Sequence, residues 1–417
     1  MQNKKIILAS ASPRRLTLLS GAGLDVSVRP VDIAEVPRTG ELPVDFARRM
    51  AVEKAEACRA LGGDGVVLAG DTIVTHSGVI LGKPSTKSHA AEMLRSLSGR
   101  SHEVVTGWAL AHVDGHLESG TVTSTVTFES LDEETIERYV QTGEPMDKAG
   151  AYGIQGEGGA LVASYTGDFS NIVGFPMPTI LRALAERGVL NLGPMCQRVA
   201  AIRARIAVAA EQAGREPRDI TIVAASKTQP VVVLKALYEC GIRHFGESYV
   251  AEFGEKNEAL PPDAQWHFIG HLQRNKVKRL LPGIATIHTI DSSRLGQSVA
   301  KRAQAAGVEL PVLIQVNLGE EATKSGVMSA QAADLLGELI AMDGVLPVGL
   351  MAIPPRSGFA GARAWCRRLR ALRDELATES HPLPHLSMGM SGDFDGAILE
   401  GATMIRLGTI LCGPRTR

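Results

Sequence analysis

Apolar and polar positions along the chain fall into two regimes. In the first, Lys5 to Ala9 form a short apolar run that predicts a strand, with Ser-Ala-Ser-Pro-Arg-Arg directly after it. Ser12 suits an N-cap and Pro13 the first helical position, and Leu16 and Leu19 continue a buried face until Gly21 ends the helix. A second apolar run, Val66-Val-Leu-Ala-Gly, predicts a strand that delivers Asp71 and Thr72 at its C-terminal end; THSGVIL then reads as a hairpin leading to Gly82-Lys83-Pro84. The helical pattern LRALAER gives way to Glu186–Pro194, whose glycines and proline read as a helix stop and a short linker. A new amphipathic helix starts near Met195, with Val199, Ile202 and Ile206 at helical spacing.

The second regime begins at Ile220, where short apolar runs alternate with helix-like segments. The strand candidates are 220–226, 243–248, 266–270, 286–291, 312–317, 348–353, 385–389 and 404–408. Eight strands separated by helical patterns fit a (β/α)8 TIM-type barrel, in which functional residues sit where strands end. The chain therefore reads as α/β throughout, with domains at 1–188 and 195–417 joined by a linker at 189–194.

Composition narrows the partners. A length of 417 residues suits two or three domains, and each half is long enough to bury its own core. A formal net charge of −1 and no polybasic tract argue for no nucleic-acid and no membrane partner. The N-terminus lacks the long apolar stretch of a signal peptide, and no run is long enough to span a bilayer, so the protein is expected to be cytoplasmic. The five cysteines are scattered and form no CxxC pair, which reads as reduced structural thiols.

Three clusters in the first half bear on phosphate chemistry. Arg14 and Arg15 fall in a first helical turn, where the dipole disfavours cations; an anion docked there relieves the conflict, and exposure of both to solvent is the plain alternative. Asp71 at a strand end can bind Mg²⁺ or position an attacking water, with Lys83, Glu35 and Lys54 as further charges nearby, although a lone strand-end aspartate is often only a turn residue. The run from Asp147 to Gly159 is glycine-rich around Gln155, whose amide can read a base edge; a tight turn would explain the glycines as well.

Taken together, LASASPRR, LAGDTIV, the GKP turn, LSGRSHEVVTG, DKAGAYGIQG and IVGFP resemble the Maf family of nucleoside triphosphate pyrophosphatases, from about Ile6 to Leu184. The resemblance implies an inosine-triphosphatase-like α/β domain with a cleft and metal-dependent (Mg²⁺ or Mn²⁺) hydrolysis between the α- and β-phosphates. It makes Asp71 the proton acceptor or metal-linked activator of water, with Glu35 as a second metal ligand. It puts Arg14, Thr72 and Gln155 at substrate-selecting positions, and Arg15, Glu35, Lys54, Lys83 and Lys148 around the metal and phosphates. Thr72 after the aspartate, with Gln155, looks like the dTTP/UTP branch; the alternatives are a 7-methyl-GTP pyrophosphatase and a non-enzymatic role in septum inhibition.

In the second half Lys227 follows the first barrel strand. A lysine at the mouth of an apolar barrel suits a Schiff base with an aldehyde cofactor, and an ordinary exposed rim lysine is the alternative. The small residues of Ser387-Met-Gly-Met-Ser391 and Arg406-Leu-Gly408-Thr409 suit the phosphate site of such barrels, and together with Lys227 point to pyridoxal 5′-phosphate. AASKTQP, HFGESYV, WHFIGHLQRNK, HTIDS, GLMAIP, LSMGMSGDFDGAI and GATMIRLGTILCG resemble the pyridoxal-phosphate homeostasis proteins, from about Met195 to Arg415. That resemblance implies that Lys227 carries the cofactor, that Ser387, Gly389, Ser391, Gly408 and Thr409 hold its phosphate, and that Arg406 approaches the pyridine nitrogen. Ser248 departs from the family's Asn. Alanine racemases share the barrel but need a further β-domain; the chain ends soon after the last strand, so a non-catalytic cofactor carrier is expected, with racemase activity as the alternative. The reading leaves room for a homodimer.

Overall fold

The computed structural model describes residues 2, 4–281, 283–321, 324–355 and 357–413. They form two compact units, Met1–Pro217 with Gly358–Ala360, and Arg218–Ser357 with Gly361–Arg417.

The first unit is built on one mixed sheet. Its strands are β1 (Ile6–Leu8), β2 (Val26–Val28), β3 (Val66–His76), β4 (Val79–Leu81), β5 (Ser101–Ala111), β6 (Leu117–Phe128) and β7 (Val162–Thr166), in the order β2-β1-β3-β5-β6-β7 with β4 paired to β3. The β1–β2 and β1–β3 pairs are parallel, and β3, β5, β6 and β7 are antiparallel. Helix α1 (Pro13–Gly21) follows β1 and begins with Pro13 at its first position, as the sequence predicts; Ser12 occupies the N-cap without a side-chain capping bond. Helix α2 (Pro43–Ala60) buries Phe46, Ala47, Met50, Ala51, Lys54, Ala55 and Cys58, one face at helical spacing, against β3 and β5. The remaining helices of the unit are α3 (Lys87–Leu97), α4 (Glu133–Gln141), α5 (Phe169–Val173), α6 (Met177–Glu186) and α7 (Pro194–Gln212).

Helix α7 starts where the sequence places a helix after the linker, yet it packs with the first unit. Its Ala200, Ala201, Ala204 and Val208 join Leu18 and Leu19 in one buried cluster. Gly21 permits the approach, since a Cβ there would lie 2.4 Å from the Ala207 Cβ. The compact units consequently divide at Pro217, after α7 rather than before it.

In the second unit β8 (Thr221–Ala225), β9 (His244–Glu247), β10 (Gln265–Phe268), β11 (Thr286–Ile290), β12 (Leu310–Gln315), β13 (Val345–Met351), β14 (His385–Ser387) and β15 (Met404–Leu407) close into a barrel, β15 pairing with β8. Every pairing is parallel. Each strand overlaps the apolar run that predicts it, with β10, β12 and β13 beginning one, two and three residues earlier. Helices α8 (Val231–Glu239) and α9 (Val250–Ala259) follow the first two barrel strands. Among the described residues no helix is long and apolar enough to cross a membrane. Cys58, Cys366 and Cys412 are buried thiols.

Candidate functional sites

The two arginines that open α1 have different fates. Arg15 is buried, and its guanidinium donates to the Gly174 carbonyl at 3.0 Å, to Ser10 Oγ at 3.0 Å and to Thr72 Oγ1 at 3.1 Å. Burial lowers its pKa, as does neighbouring Arg14, against the pull of Asp71 and Glu35. Arg15 thus pins α1, β3 and the Gly174 turn together through neutral acceptors instead of lying open to solvent. Arg14 stays part-exposed and reaches Asp147 at 3.5 Å. The Thr72 hydroxyl is fully used: it donates to the Gly174 carbonyl at 3.0 Å, meets Thr106 Oγ1 at 2.9 Å and accepts from Arg15.

Asp71 does not end its strand. It sits inside β3, which runs on to His76 and pairs Asp71 with Gly107 of β5. The parallel partner β1 stops opposite Leu68, however, so Asp71 lies just past the end of the parallel part of the sheet, the place where ligands of such sheets gather. The carboxylate is buried and accepts from Lys54 Nζ at 2.6 Å, and the same ammonium contacts Glu35 Oε1 at 2.5 Å. One lysine therefore holds an interior and an exposed carboxylate together. Lys54 reaches Asp71 because α2 presses on β5 at Gly107, where a Cβ would lie 2.0 Å from the Ala47 carbonyl oxygen. Gly107→Ala is expected to cost about 2 kcal/mol through this backbone clash, which thermal unfolding checks.

The glycine-rich loop is ordered by Glu144, which accepts from Tyr139 Oη at 3.0 Å and from the Glu157 and Gly158 N–H groups at 3.0 and 3.3 Å. Gly150 and Gly156 have φ of +70° and +69°, conformations that favour glycine, so part of the glycine content serves the turn. Lys148 donates to the Glu144 carbonyl at 2.6 Å and to Asp147 Oδ1 at 2.7 Å. Burial works against ionisation of Asp147, but Lys148 and Arg14 hold its carboxyl below the usual range. Asp147 thus links two of the cations expected around phosphate, and Lys83 is exposed beyond β4. Gln155 is buried; its Oε1 accepts from Gln212 Nε2 at 3.1 Å, and its own Nε2 has no partner among the described residues. Among the described residues no group of three or more His, Cys, Asp and Glu converges as a metal cage. Asp71 and Glu35, brought together on Lys54, suit Mg²⁺ of the kind that takes one or two carboxylates and completes its shell with substrate phosphates and water.

In the barrel, Lys227 leaves the end of β8 in a half-buried position. The next residue, Thr228, has φ +60°, strained for a β-branched side chain, and its N–H is held by Glu252 Oε2 at 2.9 Å. Sequence reading missed the group that organises this turn. Buried Lys256 on α9 donates to the Ser226 carbonyl at 2.7 Å, to Glu247 Oε2 at 2.8 Å and to Glu252 Oε2 at 2.5 Å. Burial opposes ionisation of Glu252, but Lys256 and the Thr228 N–H hold its pKa down. The i,i+4 pair Glu252–Lys256 is visible in the sequence, yet only the fold shows it facing inward. Lys256→Met, which takes the paired cation from the fully buried Glu247 and leaves it only neutral donors, is expected to lower stability by about 3 kcal/mol, measurable by chemical unfolding.

At the same end of the barrel, Ser387 closes β14 and Arg406 lies on β15. Arg406 is buried, donating to Ser387 Oγ at 2.6 Å and to the Ala352 carbonyl at 2.8 Å; burial brings its pKa down to about 10. Gly389 has φ +90°, and a Cβ there would strike the Ala397 Cβ at 2.7 Å, so this glycine serves packing at least as much as a ligand. Ser391 Oγ meets the Ile410 N–H at 3.5 Å, joining the two loops expected to hold phosphate, and Gly408 precedes the single turn that starts at Thr409. The buried arginine–serine pair, the Lys227 ammonium, which has no partner among the described residues, and the joined small-residue loops fit pyridoxal 5′-phosphate.

Comparison with known proteins accords with this division. Residues 5–187 match the family described as Maf-like protein, and residues 198–416 match the alanine racemase N-terminal domain. The dTTP/UTP pyrophosphatase of Geobacter sulfurreducens is 46% identical over 192 residues, covering 46% of this chain and 100% of that protein. The pyridoxal phosphate homeostasis protein of Aquifex aeolicus is 44% identical over 223 residues, covering 53% of this chain and 98% of that protein. A solved structure of an unknown protein from Bifidobacterium adolescentis is 33% identical, covers 52% of this chain and 94% of its own, and has a TM-score of 0.50. The chain is thus a fusion that belongs to the Maf-like dTTP/UTP pyrophosphatase family in its N-terminal part and to the pyridoxal phosphate homeostasis family, with its alanine-racemase-type barrel, in its C-terminal part.

Proposed function

We propose that the N-terminal unit hydrolyses dTTP and UTP to the nucleoside monophosphate and pyrophosphate with Mg²⁺ or Mn²⁺. The observation that carries this reading is the Asp71–Lys54–Glu35 cluster just past the parallel part of the sheet. Asp71 accepts a proton from water or orients it, and Lys54 holds the buried carboxylate in place. Asp71 and Glu35 would hold the metal, which supplies Lewis-acid neutralisation of phosphate charge when bound. Arg14, Lys83 and Lys148 are assigned to phosphate contacts in this reading, and Arg15 and Thr72 to fixing the walls beside Asp71. The test is pyrophosphate release from dTTP, UTP, CTP and 7-methyl-GTP with either metal. Preference for dTTP and UTP supports the reading, preference for 7-methyl-GTP transfers the chain to another branch, and no turnover leaves the unit without this activity.

The barrel is proposed to hold pyridoxal 5′-phosphate on Lys227 without turning over a substrate. Ser387, Gly389, Ser391, Gly408 and Thr409 take its phosphate, and Arg406 presents a fixed positive charge to the ring. That cofactor supplies an electrophilic aldehyde when bound, and an arginine against its ring nitrogen would limit its use as an electron sink. Racemase activity is tested by product chirality with L-alanine. The family segments are proposed to follow the sequence boundaries 1–188 and 195–417, although α7 folds with the first unit, to work in the cytoplasm, and to leave a homodimer to be tested by mass in solution.

A further inference from the structure

Outside the groups already used, the barrel interior contains a continuous chain of buried polar side chains. His244 Nδ1 lies 2.9 Å from His267 Nε2, His267 Nδ1 lies 2.9 Å from His288 Nε2, and His288 Nδ1 lies 2.8 Å from Ser387 Oγ. Arg406 closes the chain with its 2.6 Å bond to the same oxygen. The chain climbs the barrel. His244 opens β9, and His267 stands two residues beyond Gln265, its registered neighbour on β10; His288 likewise stands two beyond Thr286, the registered partner of His267. Ser387 ends β14 at the mouth. His267 and His288 are buried, and His244 is half-buried.

We propose that His244, His267 and His288 form a proton wire that sets whether Ser387 donates or accepts a hydrogen bond at the ligand cradle. This rests on the reading of Ser387 and Arg406 as part of the cofactor site. Burial keeps both inner rings neutral, His267 down to about 3 and His288 well below its ordinary value, with Arg406 and His385 as the nearby charged or chargeable groups. A neutral imidazole has one N–H, so a ring bridging two partners must donate on one side and accept on the other. Arg406 can only donate. Two registers remain for the whole chain.

In the first register Ser387 donates to His288 Nδ1, and all three rings carry their proton on Nε2. In the second, all three carry it on Nδ1, His288 donates to Ser387, and the serine O–H is free for an acceptor atom of the ligand. Conversion moves the Ser387 proton to His288, the His288 Nε2 proton to His267 Nδ1, the His267 Nε2 proton to His244 Nδ1, and the His244 Nε2 proton to water. A protonated phosphate oxygen of the entering ligand restores the serine proton. The net change is one proton carried from ligand to solvent, with no oxidant or reductant. An anionic ligand favours the second register, because Ser387 then accepts twice and donates once.

The experiment is long-range ¹H–¹⁵N correlation spectroscopy on the full chain labelled with ¹⁵N-histidine, which separates Nδ1–H from Nε2–H tautomers. In the free protein His267 and His288 are expected to share one tautomer, and a mixed pair overturns the wire. On adding pyridoxal 5′-phosphate both are expected to reverse together. In His267→Gln, whose amide cannot relay a proton, His288 is expected to stay fixed. Yellow protein in which neither or only one ring responds overturns the wire and leaves the cofactor reading standing. Protein that stays colourless while the free-state rings share a tautomer overturns the cofactor reading and supports the wire.

Discussion

Asp71→Asn lowers pyrophosphate release from dTTP and UTP by about 10²- to 10⁴-fold, the range lost when a positioned acid–base group is removed. The substitution keeps the shape and leaves an amide oxygen to accept from Lys54, so the 2.6 Å contact has a neutral substitute and α2 stays seated. What disappears is the charge. An amide can neither take a proton from water nor neutralise a metal, and both consequences act on turnover. The measurement is initial rate with Mg²⁺ or Mn²⁺ alongside thermal unfolding. Full activity in a folded variant would remove Asp71 from the chemistry and return it to a structural role. Loss of activity together with loss of folding would be settled by Lys54→Met, which leaves the Asp71 side chain in place while removing its anchor. A folded Lys54 variant with intact turnover would argue against the cluster as the reaction centre.

Legibility in the sequence followed the range of the interactions. The barrel could be read because strand and helix patterns are local and all eight of its strands overlap apolar runs, whereas the fold of the first domain came with its resemblance to the Maf family. Strand ends were less legible. Asp71 looks terminal because the glycine before it and the threonine after it break the apolar run, yet β3 continues for five residues as an antiparallel strand that only tertiary pairing reveals, from Thr72 to His76. Charge identity was legible, but charge engagement was not. Arg15 and Arg14 are adjacent in sequence, and one is buried among carbonyl and hydroxyl oxygens while the other faces Asp147. Gln155 was singled out for its amide, but its neighbour Gln212 lies beyond the residues that match the Maf-like family, so no local pattern couples them. Lys256 and the three histidines were missed because each looks like an ordinary polar residue until the barrel closes and points it inward.

Lys227→Ala is expected to abolish fixation of pyridoxal phosphate, from about one per chain in the parent after borohydride treatment to near zero. The argument is one of elimination among neighbouring lysines, since an amine must be free of strong acceptors and able to lose a proton before it can attack an aldehyde. Lys256 is committed to one carbonyl and two carboxylates. Lys324 is tied to Glu321 at 2.8 Å and to the Pro354 carbonyl at 3.2 Å. Lys227 alone of these three has an ammonium with no partner among the described residues, and the strained Thr228 after it is clamped by Glu252, so the turn that presents it is rigid. Mass mapping of the reduced peptide identifies the attachment point. Label at Lys227 that vanishes in the variant, with unfolding unchanged, supports the assignment. Label on Lys324, or a yellow Lys227→Ala protein, would move the cofactor to a different amine and make the small-residue loops of Ser387–Ser391 and Gly408–Thr409 the fixed feature from which its position would have to be found again.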